Sequence, residues 1–169
     1  MIFILLVVLY NLDRENICVL FYRGNDKRLE TNPLPYDEVI LRANSILKLN
    51  QNIKFLIQSE ETEFIDLMAR TFTNNIIFHD EIRYMNKCVG TVDRLAKTFT
   101  NNFKYSYLAN TIIMSKCKYI ICTSGKCSLW VILYRKNASG VYQYLSPKEF
   151  IYGVKNTKYN KDQINFWLF

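Results

Sequence analysis

The sequence predicts a single α/β domain built on a mostly parallel sheet of about five strands with helices on both faces. Short apolar runs alternate along the chain with longer stretches of helical period, which is the pattern of strands joined by right-handed helical crossovers. The chain has 169 residues, half of them hydrophobic and 15% aromatic, so it can bury a full core.

Five apolar runs have the length and composition of buried strands: residues 17–22, 54–58, 76–79, 119–122 and 141–145. The helical stretch after the first run opens at Pro35. The next one is expected to carry Glu60, Glu61 and Glu63 in its first turn, where the helix dipole favours acids. A third has the stripe Leu108, Ala109, Ile112 and Ile113. The fourth, at about 127–135, is apolar nearly all round and is predicted to be buried.

The domain itself is assigned to residues 13–152, between an apolar leader at 1–12 and a basic, aromatic tail at 153–169. The leader is shorter than the roughly 20 residues of a spanning helix and lacks the basic start and cleavage site of a signal peptide. It is either a buried element or the remnant of a missing N-terminal region. Both the secretory pathway and the cytoplasm stay open as locations.

The net charge and the cysteine spacing limit the classes of ligand and metal that the chain is expected to bind. The chain carries 22 basic and 15 acidic residues, a formal net charge of +7, which favours anionic partners. The basic residues are scattered rather than clustered in a run, so no nucleic-acid partner is expected. Five cysteines without CxxC spacing indicate buried free thiols, with one bridge from Cys88 left open. His79 is the only histidine, and a structural role or an incidental ligand contact is favoured for it; no metal is expected.

The first candidate site follows the first strand, in the segment 21–27 with the sequence FYRGNDK. Arg23 brings a permanent cation to the carboxyl end of that strand, where open α/β sheets bind their ligands. Gly24 permits a turn or a close approach to a ligand that a Cβ would obstruct. A phosphate site containing Arg23, Asp26 and Lys27 is one interpretation; a surface ion pair between Arg23 and Asp26 is the other.

The second candidate site is the segment 122–128, with the sequence CTSGKCS, between the fourth strand and its helix. Short hydroxyl residues and a glycine there expose backbone N–H groups at a helix N-terminus, which attracts anions. The residues concerned are Thr123, Ser124, Gly125, Lys126 and Ser128. A plain helix start with Ser124 as the N-cap is the alternative.

The third candidate site follows the second strand and contains Ser59 and Glu60. A carboxylate can accept hydrogen bonds from the N1–H and amino group of guanine, whose two donors it matches well. The alternative is that these residues cap the helix that follows. All three sites follow strands on the carboxyl side, so the fold is expected to gather them along one crevice.

The order and chemistry of these segments resemble the donor-binding domain of fucosyltransferases of the GT-B architecture. These include the α-1,6-, α-1,2- and protein O-fucosyltransferases. FYRGNDK is similar to the family's HxRRxDK-like motif, with Arg23 at the first arginine position, Phe21 in place of the histidine and Gly24 in place of the second arginine. Glu60 matches the aspartate that reads guanine. Residues Thr123, Ser124, Gly125 and Ser128 match the last motif approximately.

The resemblance implies the Rossmann-like donor half of a GT-B enzyme, which binds GDP-fucose or a related nucleotide sugar and needs no cofactor. The implied reaction is an inverting, metal-independent transfer of fucose to a hydroxyl of a glycan or glycoprotein, in which Arg23 is catalytic because it stabilises the leaving diphosphate. The implied donor-binding set is Arg23, Gly24, Asp26, Lys27, Ser59, Glu60, Thr123, Ser124, Gly125, Lys126 and Ser128.

The family binds its acceptor largely on an N-terminal domain, which the residues before Arg23 are too few to form. That domain is therefore missing from this chain, or a partner subunit holds the acceptor, or the transferase activity has been lost. In the last case the chain is a non-catalytic module that binds nucleotides or phosphoglycans. A plain interaction protein, with the three segments as caps and surface pairs, is the third interpretation.

Overall fold

The computed structural model describes residues 13–25, 33–78, 102–123 and 125–144. Five strands and four α-helices lie in these ranges, after a 3₁₀ turn at Arg14–Asn16. In chain order they are β1 (Ile17–Tyr22), α1 (Tyr36–Leu49), β2 (Lys54–Ser59), α2 (Thr62–Thr71), β3 (Asn75–Ile77), α3 (Asn102–Lys116), β4 (Tyr119–Thr123), α4 (Lys126–Arg135) and β5 (Val141–Tyr144). The predicted leader and tail lie outside the described residues, as do Asp26, Lys27, His79, Cys88 and Ser124.

The strands form one sheet in the order β3-β2-β1-β4-β5, and every neighbouring pair is parallel. The predicted α/β class, strand number and parallel arrangement are confirmed, and β1 has the predicted bounds. β1 is the central strand, and all six of its residues are buried. A parallel strand covered on both faces is expected to be a continuous apolar run, and that is the sequence of β1.

Side chains of β1 alternate between two hydrophobic cores, because successive residues of a strand point to opposite faces. Ile17, Val19 and Phe21 pack in the core formed with α3 and α4. Cys18, Leu20 and Tyr22 pack in the core formed with α1 and α2. The helices therefore cover both faces of the sheet, as predicted.

The direction of winding reverses between β1 and β4. From β1 the chain moves outward through α1 to β2, whereas from β4 it moves in the opposite direction through α4 to β5. The helices α1 and α4 lie on opposite faces of the sheet, and the carboxyl ends of β1 and β4 are neighbours at the point of reversal. This is the switch point at which open α/β sheets bind ligands.

The amino edge of the sheet is held together by Arg135, the last residue of α4. Its guanidinium donates to four backbone carbonyls: those of Ser115, Cys117, Lys118 and Ser139. The first three belong to the end of α3 and the turn into β4, and Ser139 precedes β5. Arg135 thus satisfies carbonyl groups that the end of a helix leaves without intrahelical donors.

Three predictions about the helices are wrong. Glu60 and Glu61 precede the first turn of α2, which begins at Thr62, and both side chains are buried. The helix α4 is not buried all round, because Leu129, Trp130, Leu133 and Tyr134 are exposed, Trp130 by 57%. Leu108, predicted in the stripe of α3, is also exposed. No helix among the described residues is long and apolar enough to cross a membrane.

The cysteines in the sheet and at the end of α3 are free and buried, as predicted; they are Cys18, Cys117 and Cys122. Burial raises the pKa of Cys117 and Cys122 to about 12 from an ordinary value of 9.0. Burial also raises the pKa of Cys18 well above that value. These thiols therefore remain protonated in the folded protein at neutral pH and behave as small apolar side chains.

Candidate functional site

Arg23 follows the last residue of β1 and continues the alternation of Val19 and Phe21, so its side chain lies on the α3–α4 face. Its backbone N–H donates to Thr123 Oγ1 at the end of β4 over 2.8 Å. Its Nη1 donates to Cys127 Sγ in the first turn of α4 over 3.0 Å. The predicted cation and the predicted helix N-terminus are therefore in direct contact at the switch point.

Glu60 is the principal partner of Arg23 within the described residues. Tyr22 and Ser59 are paired in the β1–β2 register, so Arg23 and Glu60 are the next residues of two neighbouring strands. Arg23 Nε donates to Glu60 Oε1 over 3.1 Å, and the same oxygen accepts from Gly24 N over 3.0 Å. The Glu60 side chain is 2% exposed and that of Arg23 is 13% exposed. The expected contact of Glu60 with guanine remains a prediction.

Glu61 lies on the opposite face of the sheet from Glu60, with Ile57 and the α1–α2 core. The Tyr36 hydroxyl, at the start of α1, donates to Glu61 Oε2. Tyr36 also packs edge-on against Tyr22 and Phe64, which stack on each other at 4.7 Å between ring centroids. The two consecutive carboxylates therefore lie in different surroundings. Glu60, on the α3–α4 face, binds Arg23, whereas Glu61 binds Tyr36 on the other face.

Gly24 is needed for room rather than for an unusual turn. A Cβ at this position would lie 2.1 Å from Glu61 Oε1 and 2.3 Å from Glu61 Cδ. Its backbone is not in the positive-φ region that favours glycine. The close approach anticipated at Gly24 is thus made by a buried side chain of the protein itself.

The N-terminus of α4 has Gly125 as its N-cap, at φ 155° and ψ 163°. This conformation is essentially confined to glycine. Gly125 has no side chain, and within the described residues no side-chain oxygen caps the first N–H groups of α4. Lys126, the first helical residue, is exposed. The alternative in which Ser124 is the N-cap is wrong, because Gly125 occupies that position.

The hydroxyl groups predicted to bind the donor take part in internal contacts. Ser59 Oγ accepts from Glu61 N over 3.0 Å, and Thr123 Oγ1 accepts from Arg23 N. Ser128 Oγ donates to Gly125 O over 2.7 Å and accepts from Gln143 Nε2 over 3.2 Å. These side chains shape the strand ends and the helix start, which in turn position Arg23 and the N–H groups.

Cys127 is a member of the site that the sequence analysis did not single out. It is half-buried, and its sulfur accepts hydrogen bonds from Arg23 Nη1 and from the Tyr107 hydroxyl on α3. The sequence contained a usable signal, since Cys127 lies two residues after Gly125, at the helix end expected to face Arg23. The partner on α3 has no such signal, because the packing of α3 against α4 is a tertiary contact.

The structure thus brings residues at the carboxyl ends of β1 and β2 to the same edge of the sheet as residues at the end of β4 and the start of α4. The first group is Arg23, Gly24, Ser59 and Glu60, and the second is Thr123, Gly125, Lys126 and Ser128. Asp26, Lys27 and Ser124 are not among the described residues. Within the described ranges, no group of three or more histidine, cysteine, aspartate or glutamate side chains is arranged to hold a metal ion.

No protein family and no curated protein matches the sequence. Among solved structures, the fold is similar to that of NodZ α-1,6-fucosyltransferase, whose crystal was soaked with GDP-fucose. The TM-score is 0.56 at 10% identity, and the match covers 84% of this chain.

The chain shares the α/β Rossmann-like fold of part of that solved structure. The match covers 42% of the solved fucosyltransferase, so this chain spans less than half of that protein. At 10% identity the likeness establishes the α/β Rossmann-like architecture alone. Within this architecture, Arg23 and the start of α4 lie at the switch point of the sheet.

Proposed function

We propose that this domain binds the diphosphate of a nucleotide sugar between the ends of β1 and β4, with GDP-fucose as the first candidate. The contact of Arg23 with the first turn of α4 carries the proposal, since it joins a permanent cation to an uncapped helix N-terminus. Guanidinium groups and helix N-termini both bind phosphate groups. The net charge of +7 favours the same class of ligand.

The proposed reaction is the transfer of fucose to a hydroxyl of a glycan or glycoprotein. The oxygen of the acceptor hydroxyl bonds to the anomeric carbon and its proton passes to water, while the bond from that carbon to the β-phosphate oxygen breaks and GDP leaves with the electron pair. Negative charge grows on the leaving diphosphate in the transition state. Arg23 and the N–H groups of α4 stabilise that charge, which is the contribution of this domain to catalysis.

Thermal unfolding with GDP, UDP and GMP tests binding. A ligand at about 100 times its dissociation constant adds about 2.7 kcal/mol to the free energy of unfolding. We expect stabilisation by GDP and UDP, and a smaller effect of GMP, which lacks the second phosphate. If no nucleoside diphosphate raises the melting temperature, the proposal is wrong.

Cys127 provides a separate test of where the ligand binds. Its thiol is half-buried, whereas those of Cys18, Cys117 and Cys122 are buried, so an alkylating reagent should reach it before those three. We expect GDP to slow the alkylation of Cys127, measured by mass spectrometry of the labelled peptide. Stabilisation by GDP without protection of Cys127 would place the ligand elsewhere on the domain.

Turnover is tested with GDP-fucose and separates an enzyme from a binding module. Release of GDP in the presence of glycan acceptors is expected of a transferase. Binding of GDP-fucose without release of GDP would favour the non-catalytic nucleotide-binding module.

A further inference from the structure

Glu60 and Arg23 form a charge pair at the position where the diphosphate is proposed to bind. Glu60 Oε1 accepts from Arg23 Nε at 3.1 Å and from Gly24 N at 3.0 Å. The carboxylate is 2% exposed and lies behind the guanidinium, which is 13% exposed. One oxygen therefore fixes both the arginine side chain and the backbone that carries it.

The pair involves a particular edge of the guanidinium. Glu60 holds the Nε, which is next to the aliphatic stem, whereas Nη1 reaches Cys127 at the start of α4. A guanidinium that is held through Nε has its rotation about the stem restricted, so its outer edge is directed before a ligand arrives. Such preorganisation lowers the ordering cost of binding.

The charge of Glu60 has the opposite effect on binding. A carboxylate next to Arg23 neutralises much of its positive potential and repels an incoming diphosphate. Glu60 therefore has two effects: it orients Arg23, and it weakens the attraction between Arg23 and the diphosphate. They can be separated experimentally, because glutamine keeps an acceptor oxygen in the same place and removes the charge.

We propose, on the basis of the function proposed above, that Glu60 is a positioning residue that orients Arg23 and limits the affinity for the diphosphate. A transferase has to release its nucleoside diphosphate after each turnover, and a counter-charge beside Arg23 keeps that product from being held too tightly. This role acts through Arg23 and is independent of the base. The expected reading of guanine by Glu60 acts through the base and is independent of Arg23.

The test compares Glu60→Gln and Glu60→Ala with the unmodified protein, using GDP, UDP and inorganic pyrophosphate in titration calorimetry. Glu60→Gln should tighten all three ligands by the same factor, about tenfold for one unit charge about 10 Å away at an effective dielectric of about 20. Glu60→Ala should lose most of this gain, since Arg23 is no longer held. Near-ultraviolet circular dichroism of each variant checks that the fold is retained.

A double variant shows whether the effect passes through Arg23. In an Arg23→Ala background, Glu60→Gln and Glu60→Ala should change the pyrophosphate affinity equally, because both remove the same charge and no arginine is left to position; this coupling is one that a merely structural role would not produce. Selective weakening of GDP by Glu60→Gln would overturn the inference in favour of base reading. If the unmodified protein binds GDP and Glu60→Gln binds all three ligands with the same affinity, the role inferred for Glu60 is wrong and the proposed function stands. If neither the unmodified protein nor Glu60→Gln binds pyrophosphate or a nucleotide, the proposed function fails as well.

Discussion

Arg23 and Arg135 lie at opposite edges of one sheet and hold different kinds of partner. At the carboxyl edge, Arg23 is bound by the Glu60 carboxylate and the Cys127 sulfur, both of them side-chain groups. At the amino edge, Arg135 donates to backbone carbonyls around β4 and β5. Backbone carbonyls are fixed by the fold and carry no net charge. An anion could bind Arg135 in their place only if the surrounding backbone moved.

The difference separates an arginine that can exchange partners from one that cannot. A phosphate group can compete with Glu60 for Arg23, because both are oxyanions and a side chain can move aside. Displacing the partners of Arg135 would require α3, β4 and β5 to separate. We therefore expect substitution at the carboxyl edge to act mainly on binding and substitution at the amino edge to act on stability.

The largest effect is expected from Arg23→Ala. Removing one charge-assisted contact to a diphosphate should weaken GDP binding by about 100-fold or more, which is about 3 kcal/mol. The free energy of unfolding should fall as well, by about 2 kcal/mol, because the buried Glu60 carboxylate loses its cation. Arg23→Lys is the matched control, since it keeps the charge and loses the planar fork. Loss of stability with unchanged GDP affinity would make Arg23 as structural as Arg135.

Arg135→Ala should have the opposite effect: a loss of stability without a loss of GDP affinity. Four carbonyl groups lose a charged donor at once, and we expect the free energy of unfolding in urea to fall by about 3 kcal/mol. Arg135→Lys should restore only part of it, because one ammonium cannot reach all four oxygens. At temperatures where the variant is folded, its GDP affinity should equal that of the unmodified protein. A selective loss of affinity would contradict the contrast between the two edges.

Gly24 and Gly140 allow the carboxyl and amino edges of the sheet to be compared with smaller expected effects. A Cβ at Gly140, near the amino edge, would lie 2.5 Å from the Lys118 carbonyl oxygen, and φ there is +69°. A Cβ at Gly24 would collide with the Glu61 carboxylate instead. Each change to alanine should cost about 2 kcal/mol of stability in chemical denaturation. Gly24→Ala should also weaken GDP binding, because Arg23 is its neighbour, whereas Gly140→Ala should leave binding intact.

The smallest effect is a pH dependence carried by Cys122, in β4 between the two edges. Burial raises the pKa of its thiol to about 12, and the unfolded chain releases the proton near 9.0. Stability from this group is therefore complete below pH 9 and declines as the pH rises from 9 towards 12. Between pH 8 and pH 10 the loss should be about 1.4 kcal/mol.

Cys122→Ala removes this contribution while leaving both arginines in place. The variant should be less stable at pH 8, because of the lost packing, and the difference from the unmodified protein should shrink by pH 10. Urea denaturation at the two pH values measures it. A difference that does not change with pH would mean that the Cys122 thiol titrates alike in the folded and unfolded states.

Much of the fold could be predicted from the sequence, because each buried parallel strand is a short, continuous apolar run. β1 illustrates this, with bounds identical to those predicted. The convergence of Arg23 with residues 123–128 could also be predicted, since the carboxyl ends of parallel strands share one edge. The exposure of α4 could not be predicted, because a helix that is apolar nearly all round is expected to be buried and its sequence does not indicate which face packs on the sheet.

The partner of Arg23 was harder to predict, for a reason specific to sheets. Asp26, three residues away, is the local partner that the sequence suggests, and it lies outside the described residues; Glu60 is adjacent to Arg23 through the register of two strands. Register depends on which side chains the cores accept, and that information is distributed over both faces. The apolar pattern of the sequence therefore predicts where a strand ends. The side chains that lie next to each other at that end depend on the register of the whole sheet.

The alternation of β2 has one more consequence. Leu56 fills one core and Ile57 the other, and the same alternation assigns Glu60 to Arg23 and Glu61 to Tyr36. A slip of β2 by a single residue would exchange the two glutamates between the faces. The apolar residues that lock β2 in place thereby also decide which negative charge the nucleotide would meet, so a change deep in the core could retune the site without touching any residue in it.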